Sequence, residues 1–309
     1  MLPDDVCAYV REIYRRNELR NDRLAAQLEE AVVAINGQGV TPVLLKGEAT
    51  LATAPRERRG VRLMADLDLI VKPDETARAV AALAEIGYQI HEQAPSEDQR
   101  WYVELNRPQD VGTIDLQQSA PGPAYFYRRS GHARDHSAPA RLGRGRVHIP
   151  TPTYRALTLI IHDQFEDHGY WLGDLDLRHL VELRDLNNSV GGLDWEEFTS
   201  HVSGKLMRNA VETQLLALAE LLGVEVPHAL RSRLMPRLQF MRQLMQARFP
   251  ATRVPFLAMT ILDLGNHRRE ATIDHTRTSA RRRGLRSIPR ADTLLFLLRA
   301  TTPGRVGKV

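Results

Sequence analysis

Val43–Lys72, VLLKGEATLATAPRERRGVRLMADLDLIVK, decides the fold of this chain. It reads as a short apolar strand ending at Lys46-Gly47, a helix-like stretch, an Arg-rich loop and a second strand. The second strand carries Asp66 and Asp68 at alternate positions. Strand residues two apart project from one face, so the two carboxylates are expected side by side, with Leu67 and Leu69 turned into the core. Like charges that close repel, and a cation between them relieves the repulsion. Oxygen-only ligands favour Mg²⁺ or Mn²⁺, and Mg²⁺ completes its shell with substrate phosphates and water. The local reading is a strand-borne metal site beside a phosphate-binding turn.

An Asp-x-Asp pair also occurs on solvated strand faces and in turns. Three neighbours favour the metal reading. Leu69-Ile70-Val71 follows directly, which marks a buried strand rather than an acidic loop. Lys46-Gly47 closes the preceding strand, where glycine lets the backbone approach a phosphate and lysine supplies a point charge. Arg56, Arg58, Arg59 and Arg62 crowd the connection, and the guanidinium fork suits bidentate phosphate contact.

These residues resemble the nucleotidyltransferase superfamily typified by DNA polymerase β. Within it the chain is similar to the uncharacterised bacterial nucleotidyltransferases whose core reads L-K-G-x-x-L, then R-x-M-x-D-x-D-L-x-V. The matching positions are Leu45, Lys46, Gly47 and a displaced Leu51, then Arg62, Met64, Asp66, Asp68, Leu69 and Val71. Related abortive-infection toxins carry a comparable Lys-Gly turn and paired aspartates. The likeness is specific over about residues 40–90, fair to residue 120 and weak beyond. The polymerase-type Gly-Ser pair is absent, and Glu48 stands where many relatives carry a small residue. An acid there opposes triphosphate binding unless it points away.

The superfamily's chemistry implies a third carboxylate on a neighbouring strand. Val111-Gly-Thr-Ile-Asp-Leu-Gln-Gln118 alternates, with Thr113, Asp115 and Gln117 on one face and Ile114 and Leu116 on the other. Asp115 is therefore expected opposite Asp66 and Asp68, the alternative being a solvent-facing residue on an edge strand. Gln117 occupies a place where relatives often have histidine. Glu104 and Asp110 read as lying near a turn and are set aside. The resemblance implies two metal ions, Mg²⁺ or Mn²⁺, held by Asp66, Asp68 and Asp115 around an NTP such as ATP. Lys46, the Gly47 amide and Arg62 would face its β- and γ-phosphates. The segment from His168 to His179 resembles a nucleotide-facing helical segment of relatives, so that Arg178 could reach a phosphate or base; a satisfied helix-packing cluster explains it equally. The implied reaction moves NMP from NTP to an acceptor hydroxyl or phosphate and releases pyrophosphate. The acceptor stays open between an RNA 3′ end, a protein side chain and a small molecule. A catalytically weak nucleotide- or RNA-binding module on the same fold is the alternative, and a tRNA-directed toxin activity rests on fold analogy alone.

Composition frames this core. The chain has 309 residues with 43% hydrophobic and 26% charged content, ordinary for a globular protein with room for two domains. One cysteine, Cys7, excludes an internal disulfide framework and fits a reducing cytoplasm. The first twenty residues are too charged for a signal peptide, and no apolar run approaches the roughly 20 residues of a membrane span. Only four lysines stand against 38 arginines, so Lys46 at the turn runs against the chain's habit. Residues 277–309 hold nine Lys or Arg and one acid, a segment charge of +8 that leaves −4 on the rest of the chain. Such a tail suits contact with a polyanion, but its near lack of aromatics argues against base stacking.

The fold class expected is α+β: a small mixed-sheet nucleotidyltransferase core flanked by helices, followed by an all-α domain. The divisions are N-terminal helices at 1–40, a catalytic core at 41–150, a helical domain at 151–276 and the basic segment at 277–309. Apolar positions Val10, Ile13, Leu24, Leu28 and Val32 at helical spacing predict a helix over 4–37. A helix is expected at 74–86, strands near 88–92, 101–106 and 111–118, and an irregular Arg/His-rich stretch over 124–150 with at most a short strand at 146–149. From Pro152 the pattern reads as helices at about 152–168, 174–188, 194–223 and 226–248. His162, His168 and His179 lack paired-His spacing, so zinc is not expected there.

Overall fold

The computed structural model describes residues 3–93, 102–122, 124–127 and 129–256. The basic segment 277–309, and the helical domain beyond residue 256, lie outside the described residues.

A single long helix, α1 (Asp4–Gly37), opens the chain, with Asp4 and Asp5 complementing the positive end of its dipole. Leu24, Leu28, Ala31, Val32 and Ile35 are fully buried at helical spacing. In its first half Val10 and Ile13 are exposed, and a short 3₁₀ turn at Arg56–Val61 packs against the helix. Strand β1 (Val43–Leu44) leads directly into α2 (Lys46–Thr53), and β2 (Asp66–Ile70) follows the 3₁₀ turn. Then come α3 (Thr76–Glu85), β3 (Gln89–Gln93), β4 (Tyr102–Asn106) and β5 (Thr113–Gln117).

The stretch expected to be irregular contains a hairpin, β6 (Ser137–Leu142) and β7 (Gly145–Pro150), closed by Gly143-Arg144 with Gly143 at φ 55°. Its sequence hid the strands because β6 is an edge strand: Pro139 has no N–H to donate, which an edge tolerates, and its residues lack an apolar alternation. The sheet is mixed, in the order β3-β4-β5-β2-β1-β7-β6. β2 pairs parallel with β5, and β1 pairs parallel with β7; the other neighbours are antiparallel. Leu67, Leu69, Ile114 and Leu116 are fully buried and join the α1 residues in one core. The alternate residues of β2 and β5 are thereby turned to the opposite face.

Past the sheet the chain is helical: α4 (Pro152–Ile161) running into a π turn at His162–Glu166, α5 (Gly169–Leu172), α6 (Leu177–Asn187), α7 (Trp195–His201), α8 (Lys205–Leu222) and α9 (Leu234–Arg248). The single helix expected over 194–223 is two, because Gly204 adopts φ 73° and ψ 166° and interrupts the ladder. α9 starts later than expected, after Pro227 and a short 3₁₀ turn at His228–Leu230. Phe126, Leu180, Phe198, Leu215 and Leu218 form the core of this second set. The architecture is α+β, a mixed sheet with flanking helices and a helical region after it. Two compact units emerge: residues up to 120 with 130–155, and residues 121–129 with those from 156 on.

Burial of the β2 leucines sets which way its aspartates face. Leu67→Ala should lower unfolding stability by about 2–5 kcal/mol in denaturant titrations, since it removes a fully buried side chain and leaves a cavity.

Candidate active site

Three features hold the strand ends in place. Asn21 of α1 donates to the carbonyls of Arg59 and Arg62, both at 2.6 Å. Arg20 donates to Met64 O at 2.9 Å and Val111 O at 2.6 Å. Gln27 donates to Gly112 O at 2.8 Å. One polar face of α1 thus satisfies backbone carbonyls at the entrances to both β2 and β5, which a buried loop otherwise leaves unpaired.

On the face opposite the leucines, the parallel register sets Asp66 against Thr113, Asp68 against Asp115 and Ile70 against Gln117. Asp68 is buried and Asp66 half-buried. Gln117, in the place where relatives often have histidine, donates from Nε2 to Asp68 Oδ1 at 2.6 Å. Glu104, set aside on its sequence position, proves to be mid-strand in β4 and directly opposite Asp115; the turn begins later, where Asp110 pairs with Arg107 and accepts from Tyr88.

α2 brings the rest. Lys46 is its first residue and holds φ 41°, a left-handed conformation that costs a non-glycine residue on the order of 1 kcal/mol. Its Nζ lies 2.8 Å from Asp68 Oδ2. Gly47 follows, and a Cβ there would meet Met64 Cε at 2.7 Å and Arg62 Nε at 3.1 Å. The bare glycine therefore lets Met64 and Arg62 cross the turn. Glu48 is buried, and its carboxylate lies with those of Asp66 and Asp68 so that one oxygen from each falls within 4.8 Å of the others. The acid does not point away from the site; it points into it.

Electrostatics follow from this crowding. Burial pushes the Glu48 carboxyl well above its ordinary range, and the charge of Asp68 pushes it further. Asp66 is raised by burial and by Asp68. Asp115 is raised to about 7 by burial, then by Asp68, Asp66 and Glu104. Burial alone would lower the Lys46 ammonium, but the charge and hydrogen bond of Asp68, with Glu48 and Asp66, raise it instead. Two carboxylate oxygens, Asp115 Oδ1 and Glu48 Oε2, are buried without a hydrogen-bond partner among the described residues. An all-oxygen donor set with unpaired buried oxygens fits a hard divalent cation such as Mg²⁺ or Mn²⁺.

Residues 1–223 match the profile of a family described as uncharacterised nucleotidyltransferases. The chain belongs to this nucleotidyltransferase family. Among solved structures it is similar to the antibiotic-resistance factor ANT(2″)-Ia in solution, at 15% identity over 66% of this chain and 98% of that one, with a TM-score of 0.41. ANT(2″)-Ia in complex with adenylyl-2″-tobramycin gives 15% identity, 58% and 94% coverage and a TM-score of 0.38. An antigenic nucleotidyltransferase-like protein from Paracoccidioides brasiliensis gives 14%, 69% and 98%, and 0.38. No curated protein matches the chain.

Of the residues expected in this nucleotidyltransferase's site, Lys46, Gly47, Arg62, Asp66, Asp68 and Asp115 belong to the first unit and occupy one face around β2. Arg178 belongs to the second unit, at the start of α6, with an Nη 3.6 Å from Asp176 Oδ2. Glu48 is the residue whose orientation the sequence left open. No spacing in the sequence signals this, because the burial of Glu48 follows from the packing of α2 against β2.

The histidine cluster of the second unit is a hydrogen-bonded network. His179 Nδ1 lies 2.8 Å from Asp163 Oδ1 and 3.3 Å from Asp176 Oδ2, and Asp176 also caps α6 through the Arg178 and His179 amides. Asp163 is further held by Gln164. Burial would lower the His179 pKa, but the hydrogen bond and charge of Asp163, with Asp176 and Glu182, raise it; Arg178 is the cationic neighbour. A folded-state value above 6.5 means that the pair's stabilisation is complete below 6.5 and is lost as pH rises through the folded value. His179→Gln should therefore cost about 3 kcal/mol near pH 6, and thermal melting should show the gap to wild type narrowing toward pH 9.

Proposed function

We propose that the protein transfers NMP from an NTP to an acceptor hydroxyl or phosphate, with release of pyrophosphate and a proton, at a divalent-metal site held by Asp66, Asp68 and Asp115. The observation that carries this reading is the parallel β2–β5 register, which sets Asp115 beside Asp68 on the face that also bears Asp66, with Asp115 Oδ1 buried and unpaired. Mg²⁺ or Mn²⁺ bound there supplies charge stabilisation at the reacting phosphate and acidifies the attacking hydroxyl.

The chain's own groups do the remainder. Lys46 and Arg62 provide the positive charge that meets the β- and γ-phosphates, and Gly47 keeps the turn narrow enough for Arg62 to lie across it. Asp115 Oδ1 is the acceptor of the hydroxyl proton, in keeping with a carboxyl raised to about 7 by its neighbours. Gln117 orients Asp68 through the 2.6 Å hydrogen bond. Little covalent chemistry falls to the protein, since positioning and charge dominate phosphoryl-type transfer.

Pyrophosphate release from a panel of NTPs, with RNA, protein or metabolite fractions as acceptors, tests the reading. Asp66→Asn is nearly isosteric and should fold normally yet lose about 10³-fold or more of the metal-dependent rate. Lys46→Ala should act mainly on KM for the NTP, because Arg62 covers part of the same charge. An Asp66→Asn protein that reacts like wild type would remove the metal site. Nucleotide binding by wild type with no pyrophosphate release would favour the binding-module reading instead.

A further inference from the structure

Glu48 has no role in the carboxylate trio proposed above, yet its surroundings suit a ligand better than a structural acid. It is 1% exposed, and its Oε2 has no hydrogen-bond partner among the described residues. A buried carboxylate left half-unpaired is costly unless something binds it. The groups it faces make this worse: Asp66 and Asp68, each offering an oxygen within 4.8 Å of it and of each other. Asp115 stands beside Asp68 across the β2–β5 ladder. Against these four carboxyl groups the nearby cations among the described residues are Lys46 and Arg62, so the acids outnumber their cationic partners even before Glu104 is counted. Lys46 is already committed to Asp68 Oδ2 at 2.8 Å. A divalent ion favours the ionised form of such a cluster, and oxygens spaced this closely match the span of a cation's coordination shell, whose ligand distances are roughly 2.0–2.6 Å for Mg²⁺ and Ca²⁺.

We propose that Glu48 is a cation ligand, so that Glu48, Asp66 and Asp68 hold one divalent ion before any nucleotide arrives. The inference rests on the metal-site reading above and adds to it: the acid that departs from the family pattern lets the site load its ion in advance. In a site of two aspartates and a phosphate-bearing substrate, the nucleotide itself completes the shell. Here Glu48, held on the first turn of α2, takes a place in that shell. The acid then faces the ion rather than the triphosphate, which removes the repulsion that its position implies.

The test uses the full chain and Mn²⁺ without nucleotide, with free Mn²⁺ read by electron paramagnetic resonance and thermal melting alongside, for wild type, Glu48→Gln, Glu48→Asp and Asp66→Asn. Wild type should bind Mn²⁺, with Mg²⁺ competing, and melt higher when loaded. Glu48→Gln should bind at least about tenfold more weakly, the scale on which even supporting residues alter metal affinity. Glu48→Asp, which keeps the charge on a shorter arm, should fall between. Without metal, Glu48→Gln should melt at or above wild type, because it removes a buried like charge; this also reports that the variant folds, and Glu48→Asp serves if it does not. Binding by Glu48→Gln equal to wild type, with Asp66→Asn weakened, would overturn the inference and leave the metal-site reading intact. Wild type that binds no Mn²⁺ without nucleotide would overturn pre-loading, and metal-dependent pyrophosphate release would then decide the broader reading separately. Equal binding by all four proteins would sink both.

Discussion

The parallel pairing of β2 with β5 is the constraint on which the site depends. Parallel register places Asp68 and Asp115 directly beside each other, and the period of two adds Asp66 to the same face. The opposite faces of the same strands carry Leu67, Leu69, Ile114 and Leu116, all fully buried. A slip of one residue would bury the carboxylates in the apolar core and expose the leucines, so hydrophobic burial enforces an arrangement that electrostatics alone opposes.

The opposition is visible in the pKa directions. Glu48, Asp66 and Asp115 are all pushed upward by burial and by one another, while Lys46 is pushed upward by the carboxylates around it. Such a cluster lowers the stability of the protein that contains it, and the rest of the unit compensates. α1 contributes through its buried leucines on one side and through Arg20, Asn21 and Gln27 on the carbonyls at the strand entrances. Lys46 accepts a left-handed backbone and in return reaches Asp68. Strain and like-charge crowding at one place are what a site for a cation and a polyphosphate requires.

The two units differ in how they treat charge. In the first, acids converge with too few cations. In the second, His179 sits between Asp163 and Asp176, with Asp176 also serving as a helix cap, so the buried imidazole has acidic partners. The same residue types, Asp beside a basic group, make a reactive cluster in one setting and a structural network in the other.

Much of this was legible in the chain. Alternation in β2 and β5 gave the facing of Asp66, Asp68 and Asp115 because side-chain direction in a strand is a local property. The Lys-Gly turn and the helical character of the second unit were equally local, although the break at Gly204 and the late start of α9 were not read. Other features were not. β6 looked irregular because an edge strand with Pro139 has no apolar alternation to reveal it. Val10 and Ile13 share the helical spacing of the buried positions yet are exposed, since periodicity tells which face of a helix is apolar and not whether anything covers it. Glu104 gained its place beside Asp115 through the β4–β5 register. Glu48 is the clearest case: from sequence it was an acid next to a phosphate turn, and only the packing of α2 against β2 turned it toward Asp66 and Asp68. Local alternation and motif determined which residues are available to the site; long-range strand pairing and helix packing decided which of them meet, because contact across distant parts of the chain is set by tertiary burial and not by spacing.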